Sequence, residues 1–231
     1  LSRMSHDIRT PMNAIAGMTE IADAHIREPE RVRDCLQKIR LSSNHLLGLI
    51  NDVLDMSKIE SRSMILQQEP FDMFEIINGF VSTVYAQTKA KGIEFQETME
   101  GFGEDAIFIG DSLRLNQILL NLSSNAVKFT APGGSIRLAV SRHKGGSRTE
   151  ILRFILSDTG IGMTQEAVER IFQPFEQADA SIAKRYGGTG LGMSITKNLI
   201  ALMGGQIQIE SESGVGTTCI CLLYTSDAAV E

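Results

Sequence analysis

The apolar residues of the first sixty positions recur at helical spacing. Met4, Ile8, Ile15, Met18 and Ala22 follow one another in steps that keep one face, which predicts a helix over about 2–26. Pro29 marks a turn. Val32, Leu36, Ile39, Leu46, Ile50 and Val53 then repeat the pattern, with Ser43 filling a missing seam position. Two such helices joined by a short loop form an antiparallel hairpin. Its apolar faces exceed what the hairpin alone can cover, so a dimeric four-helix bundle is the expected solution. Pro11, inside the first helix, lacks a backbone donor and is expected to bend it.

After Met64 the periodicity changes. Residues 65–69 read as a short strand or linker, and Pro70-Phe71-Asp72 as the start of a helix to about 91. Strands are predicted at 93–98 and 106–109, and Asp111 caps a helix through Phe129. Strands over 135–142 and 151–157 flank a Lys144-Gly145-Gly146-Ser147 turn. A helix over 165–172, a long loop from Gln173 to about Thr189, a helix over 191–203 and strands over 206–211 and 217–223 complete the pattern. This is an α+β domain, a mixed or antiparallel sheet with helices on one face. The chain therefore divides into a helical hairpin, 1–64, and an α+β domain, 65–223. Residues 224–231 have lost strand character and read as a frayed or non-native tail.

Composition narrows the function. The 231 residues are 42% apolar, enough for a real core, and the formal charge is −6. No basic stripe is visible, which argues against a nucleic-acid partner. Cys35, Cys219 and Cys221 lack metal-ligand spacing, and the last two share one strand face as core filler. Nothing suggests disulfides, so a reducing, cytoplasmic setting is expected. No apolar run is long enough to span a membrane, and no signal peptide is present. The chain starts mid-pattern at Leu1 and reads as a piece of a longer protein, with any sensor or anchor upstream.

Several constellations carry chemistry. With Met4 and Ile8 at seam positions d and a, His6 falls at f, on the outside of the bundle. Asp7 beside it can hydrogen-bond one ring nitrogen and raise the nucleophilicity of the other. Asn121, Asn125 and Lys128 share one face of the helix capped by Asp111. Two amides and an ammonium there suit an anion with a hard cation beside it. Asp158-Thr159-Gly160-Ile161-Gly162 ends an apolar strand. Its carboxylate can accept from an exocyclic amine, and its glycines let backbone approach a flat ring. Gly187-Gly188-Thr189-Gly190-Leu191-Gly192 precedes a helix and exposes backbone N–H groups at a positive helix end. The Thr217 hydroxyl can reach a purine directly or through water, and Phe172 and Phe175 flank the long loop.

In this order the motifs resemble the core of a sensor histidine kinase of two-component signalling, from Leu1 to Leu223. The H box is Ser5-His6-Asp7-Ile8-Arg9-Thr10-Pro11, and the N box runs from Asn121 to Phe129. Asp158–Gly162 is the first glycine box, the two phenylalanines are the F box, and Gly188–Gly192 is the second glycine box. The resemblance implies a dimerisation and phosphotransfer hairpin followed by a Bergerat-type (GHKL) ATP-binding sandwich. It implies that His6 attacks the γ-phosphate of ATP, with Asp7 as general base or orienting acceptor. Thr10 matches the position that helps place water for dephosphorylating a partner. Asn125 would hold Mg²⁺ with Asn121 in support, Lys128 would contact phosphate and Asp158 would read the adenine amine. Phe129, Gly160, Gly162, Gly188, Gly190, Leu191, Gly192 and Thr217 would complete the ATP site. The loop carries Ala183 and Lys184 where the family usually has Thr-Arg, so Arg185 would share the phosphate contact with Lys184. The implied partners are a second copy of the chain and a response-regulator receiver domain, separate or fused. Two other readings stand beside this one. One is a nucleotide-binding signalling scaffold without catalysis. The other is an ATPase resembling gyrases, which lack an H box on a helical hairpin.

Overall fold

The helical spacing of the first sixty residues is realised as α1 (Ser2–Ala24) and α2 (Pro29–Glu60). A computed structural model describes residues 2–103, 106–145, 150–175 and 190–225, with side chains from Asp7 onward. The chain forms two compact units, Leu1–Met64 and Ile65–Glu231. In the first, α1 is continuous through Pro11, whose ring is buried. Pro29 opens α2 at its first turn, where a missing N–H costs nothing. Cys35 and Leu49 are buried between the two helices. Leu36, Leu47, Ile50 and Leu54 remain between 41% and 59% exposed, so the hairpin carries an apolar row it does not cover.

The second unit begins with β1 (Glu69–Asp72) and α3 (Met73–Lys91), then β2 (Glu94–Glu100), β3 (Ile107–Gly110) and α4 (Ser112–Phe129). It continues through β4 (Ser135–Lys144), β5 (Glu150–Asp158), α5 (Gln165–Arg170), α6 (Gly192–Leu202), β6 (Gln206–Glu212) and β7 (Gly216–Thr225). Five strands form one sheet in the order β2-β4-β5-β7-β6, with β2 parallel to β4 and all other pairs antiparallel. The helices α3, α4 and α6 pack on this sheet. Leu152, Phe154 and Leu156 alternate along β5 toward them and are buried, beside Leu138 and Val140 of β4. From the helix side, Met73, Ile77, Phe80, Leu115, Ile118 and Ile195 close the core. This is the expected α+β layering.

Two local expectations are corrected. Pro70-Phe71-Asp72 does not start a helix; it is strand β1, paired with β3. The partner lies some forty residues away in sequence, and a two-stranded edge tolerates a proline. Asp72 then caps α3, its Oδ1 accepting from Phe74 N–H at 2.8 Å. Tyr224 and Thr225 do not belong to a tail. They extend β7, pairing with Ile151 and Glu150, because β5 is long enough to continue the ladder. The Thr225 hydroxyl also donates to the Ile109 carbonyl at 3.1 Å. Residues 226–231 lie outside the described residues.

Helix α4 is fixed at both ends. Asp111 caps its start, Oδ1 accepting from Arg114 N–H at 3.0 Å. At its other end Lys91 Nζ donates to the carbonyls of Val127 and Lys128 at 2.6 and 2.9 Å. A cation satisfying terminal carbonyls also opposes the helix dipole. Replacing Lys91 with methionine should remove about 1–2 kcal/mol of stability and lower the melting temperature by about 2–8 °C. A melting curve that superimposes on the wild type would refute this role.

Candidate functional site: the two ends of helix α4

Helix α4 carries the N box and joins both glycine boxes. Near its C-terminus, the Phe129 carbonyl accepts from Ile161 N–H at 3.3 Å. A Cβ at Gly160 would lie 2.9 Å from that carbonyl oxygen and 2.7 Å from Asp158 Oδ1. Only glycine allows this approach, so Asp158–Gly162 is pressed against the end of α4. Near the middle of the helix, Asn121 Nδ2 reaches the Gly192 carbonyl at 3.5 Å and Thr196 Oγ1 at 3.4 Å. Asn121 thus spends its donors on joining α4 to α6. The Asn125 amide, half-buried one turn further along, has no hydrogen-bond partner among the described residues.

Asp158 is the centre of the site. It follows Leu152, Phe154 and Leu156 in the row of β5 that faces the helices, and it sits opposite Ile136 and Thr217. Its Oδ1 accepts from Gly160 N–H at 2.8 Å. Burial raises its pKa above the ordinary carboxylate value, partly offset by N–H bonds from Gly160 and Thr217. A half-buried carboxylate with unused lone pairs is a strong acceptor for an amine. Across β7, Ser211 bridges the neighbourhood. It accepts from Met163 N–H at 2.9 Å, donates to the Gly216 carbonyl at 2.9 Å, and lies 2.9 Å from Thr217 Oγ1. With the Ser211 proton committed to Gly216, Thr217 donates to Ser211 and turns its own lone pairs outward.

Two further glycines close the backbone around Asp158. Gly216, at φ +147, passes so near the Asp158 carbonyl that a Cβ there would overlap it. Gly162, at φ +61, packs on the Glu212 carbonyl in the same way. Lys128 is half-buried, with Nζ 4.9 Å from the centre of the Phe129 ring. Desolvation lowers its pKa, so its ammonium is less favoured than in water and gains from an anion placed beside the N box.

The second glycine box borders α6. Gly190 is left-handed at φ +70, Leu191 is buried at the cap position, and Gly192 is the first helical residue. The leading N–H groups of α6 have no acceptor within the helix itself, the arrangement by which helix starts attract anions. The Gly190 carbonyl accepts from Phe175 N–H at 3.1 Å, and Lys197 Nζ lies 5.0 Å from the Phe172 ring. The F box therefore meets the second glycine box. Lys184, Arg185 and Gly188 lie outside the described residues, as does the His6 side chain. Asp7 and Thr10 lie on α1, half-buried and exposed.

Sequence reasoning missed three contributors. Ser211 was legible, since counting outward from Gly214 places it opposite Thr217. Thr159 stands in the first glycine box, and its hydroxyl accepts from Ser135 N–H at 2.9 Å to hold the start of β4. Lys91 gave no local signal, because its targets lie on another helix.

The layered unit and its glycine-lined carboxylate define a GHKL-type nucleotide-binding sandwich. The chain matches the family described as "Histidine kinase-, DNA gyrase B-, and HSP90-like ATPase" over residues 110–226. It also matches the "His Kinase A (phospho-acceptor) domain" over residues 1–62. It is 38% identical over 228 residues to the autoinducer 2 sensor kinase/phosphatase LuxQ of Vibrio parahaemolyticus, covering 98% of this chain and 26% of LuxQ. It is 41% identical over 220 residues to the circadian input-output histidine kinase CikA of Synechococcus elongatus, covering 94% of this chain and 28% of CikA. The crystal structure of full-length ShkA in complex with AMPPNP superposes with a TM-score of 0.73 at 31% identity, over 99% of this chain and 46% of ShkA. The chain belongs to the sensor histidine kinases, as its motif order implied. It spans about a quarter of the length of these curated relatives. Among the described residues, no helix is long and apolar enough to cross a membrane.

Proposed function

We propose that this chain is an ATP-dependent kinase core that phosphorylates its own His6 and passes the phosphoryl group to an aspartate of a response-regulator receiver domain. The observation that carries the reading is one chain holding both a phospho-acceptor hairpin with His6-Asp7 and the glycine-lined carboxylate of an ATPase sandwich. Asp158 accepts from the adenine amine, with Thr217 offering lone pairs beside it. Gly160 and Gly162 let backbone lie against the base. Lys128, the leading N–H groups of α6, and Lys184 and Arg185 take the phosphates. Gly188, Gly190 and Gly192 keep side chains out of their path, while Leu191 anchors the cap in the core.

One ring nitrogen of His6 forms a bond to the γ-phosphorus as the bond to the bridging oxygen breaks, and ADP leaves with that electron pair. Asp7 holds the proton on the other ring nitrogen and fixes the tautomer. Such a transfer depends mostly on positioning and charge stabilisation. Mg²⁺ fits the donors present. The Asn125 amide, without a hydrogen-bond partner among the described residues, offers a hard oxygen, and among those residues no group of three His, Cys, Asp or Glu side chains competes for the ion. When bound, the ion neutralises charge on the phosphates. The exposed leucines of α2 support a homodimer, since a second hairpin would cover them. Thr10 helps place the water that dephosphorylates the regulator, releasing inorganic phosphate from its aspartate, in keeping with the kinase/phosphatase name that LuxQ carries.

Incubation with γ-labelled ATP and Mg²⁺ tests this reading. Wild type should acquire acid-labile, alkali-stable label, and His6→Gln should acquire none. Equal labelling of both proteins would refute it, and no label in either would leave a nucleotide-binding scaffold.

A further inference from the structure

Asp111 has a second contact that its capping role does not require. While Oδ1 starts α4, Oδ2 accepts from the backbone N–H of Gln67 at 3.1 Å. Gln67 belongs to the stretch that leads from the hairpin into β1. Among the described residues, no other hydrogen bond holds residues 65–68. Ile65 is 91% exposed, and Leu66 and Gln68 border a cavity of about 350 Å³. The cavity is also walled by Ile109, Leu115, Leu202 and Tyr224. The stretch thus bridges open space instead of packing on a filled core, and one carboxylate oxygen ties it down.

We propose that Asp111 is a positioning residue that clamps this strap to the start of the N-box helix and so fixes where the chain leaves the catalytic unit. The inference rests on the kinase reading above. With the clamp closed, the free tether ends at Gln67. With it open, the tether runs on to Glu69, the first residue of β1. A longer, slacker tether lowers the effective concentration of the acceptor histidine at the bound phosphate. Nucleotide affinity is untouched, because α4 keeps its cap. The clamp therefore acts on the rate of transfer and not on the binding of ATP.

Two substitutions separate these roles in the full chain. Asp111→Asn keeps an oxygen for Arg114 N–H and presents an NH₂ group where Gln67 needs an acceptor. Gln67→Pro removes the donor itself, and Gln67→Ala retains it. Hydrogen exchange of the Gln67 amide should be at least about tenfold faster in Asp111→Asn than in wild type. Both clamp-breaking variants should form phosphohistidine at least about twofold more slowly at saturating ATP, with Kd for ADP within twofold of wild type. Gln67→Ala should behave as wild type. Unchanged exchange in Asp111→Asn would overturn the clamp, as would wild-type phosphorylation rates in both variants. A loss of ADP affinity in Asp111→Asn that Gln67→Pro does not share would reduce Asp111 to a structural cap. Wild type that forms no phosphohistidine would instead refute the kinase reading, a result distinguishable because amide exchange is read without catalysis.

Discussion

Replacing Asp158 with alanine should weaken ADP binding by about 10- to 100-fold, measured by titration calorimetry. A hydrogen bond to a charged, partly desolvated acceptor contributes about 1.5–3 kcal/mol, and here the acceptor is the group that reads the base. Asparagine separates binding from stability. Burial raises the Asp158 pKa, so the folded state holds that proton more tightly than the unfolded chain does. Its contribution to stability is fully present below the ordinary value of 3.8 and is lost as pH rises through the raised folded value. At neutral pH the ionised carboxylate is thus a cost to folding that function requires. Asp158→Asn should relieve that cost, raising the melting temperature at pH 7 while ADP binding falls. In wild type, ADP affinity should decline on acidification from a pH above the usual carboxylate range. An alanine variant that binds ADP normally would remove Asp158 from the site.

Gly162→Ala should cost about 2–4 kcal/mol, read as a shift in the denaturant midpoint at constant m-value. Two penalties coincide there. The residue is left-handed at φ +61, which an L side chain adopts at a cost, and the new methyl would overlap the Glu212 carbonyl. Backbone on both sides must move, and the first glycine box moves with it. By contrast Gly133, also left-handed at φ +84, has nothing near its Cβ and should tolerate alanine with a much smaller loss. Equal effects at both positions would mean that crowding by Glu212 adds nothing.

Much of this architecture is legible because its signals are local. The seam residues of α1 and α2 state the hairpin, Asp111 states the start of α4, and glycines at fixed offsets from Asp158 and Leu191 state the backbone approach. What escaped depends on partners distant in sequence. Pro70 looks like a helix start until β3 is known to lie beside it, and Tyr224 looks like a fraying end until β5 is seen to reach Glu150. Asn121 shares a helix face with Asn125, yet only the packing of α6 shows that its amide serves helix contact while Asn125 keeps its own. Spacing along one element identifies which residues act together. It does not identify which of their donors are already spent.

The order of the five-stranded sheet leaves β2 and β6 as its outer strands. Exposed Glu94, Glu97 and Glu100 line the first, and Glu210 and Glu212 the second. Unpaired strand borders invite other chains to dock edge to edge, and rows of like charge repel such visitors. Part of the acidity of the protein thus stands where, among the described residues, the ladder of hydrogen bonds stops, and it opposes edge-to-edge pairing there.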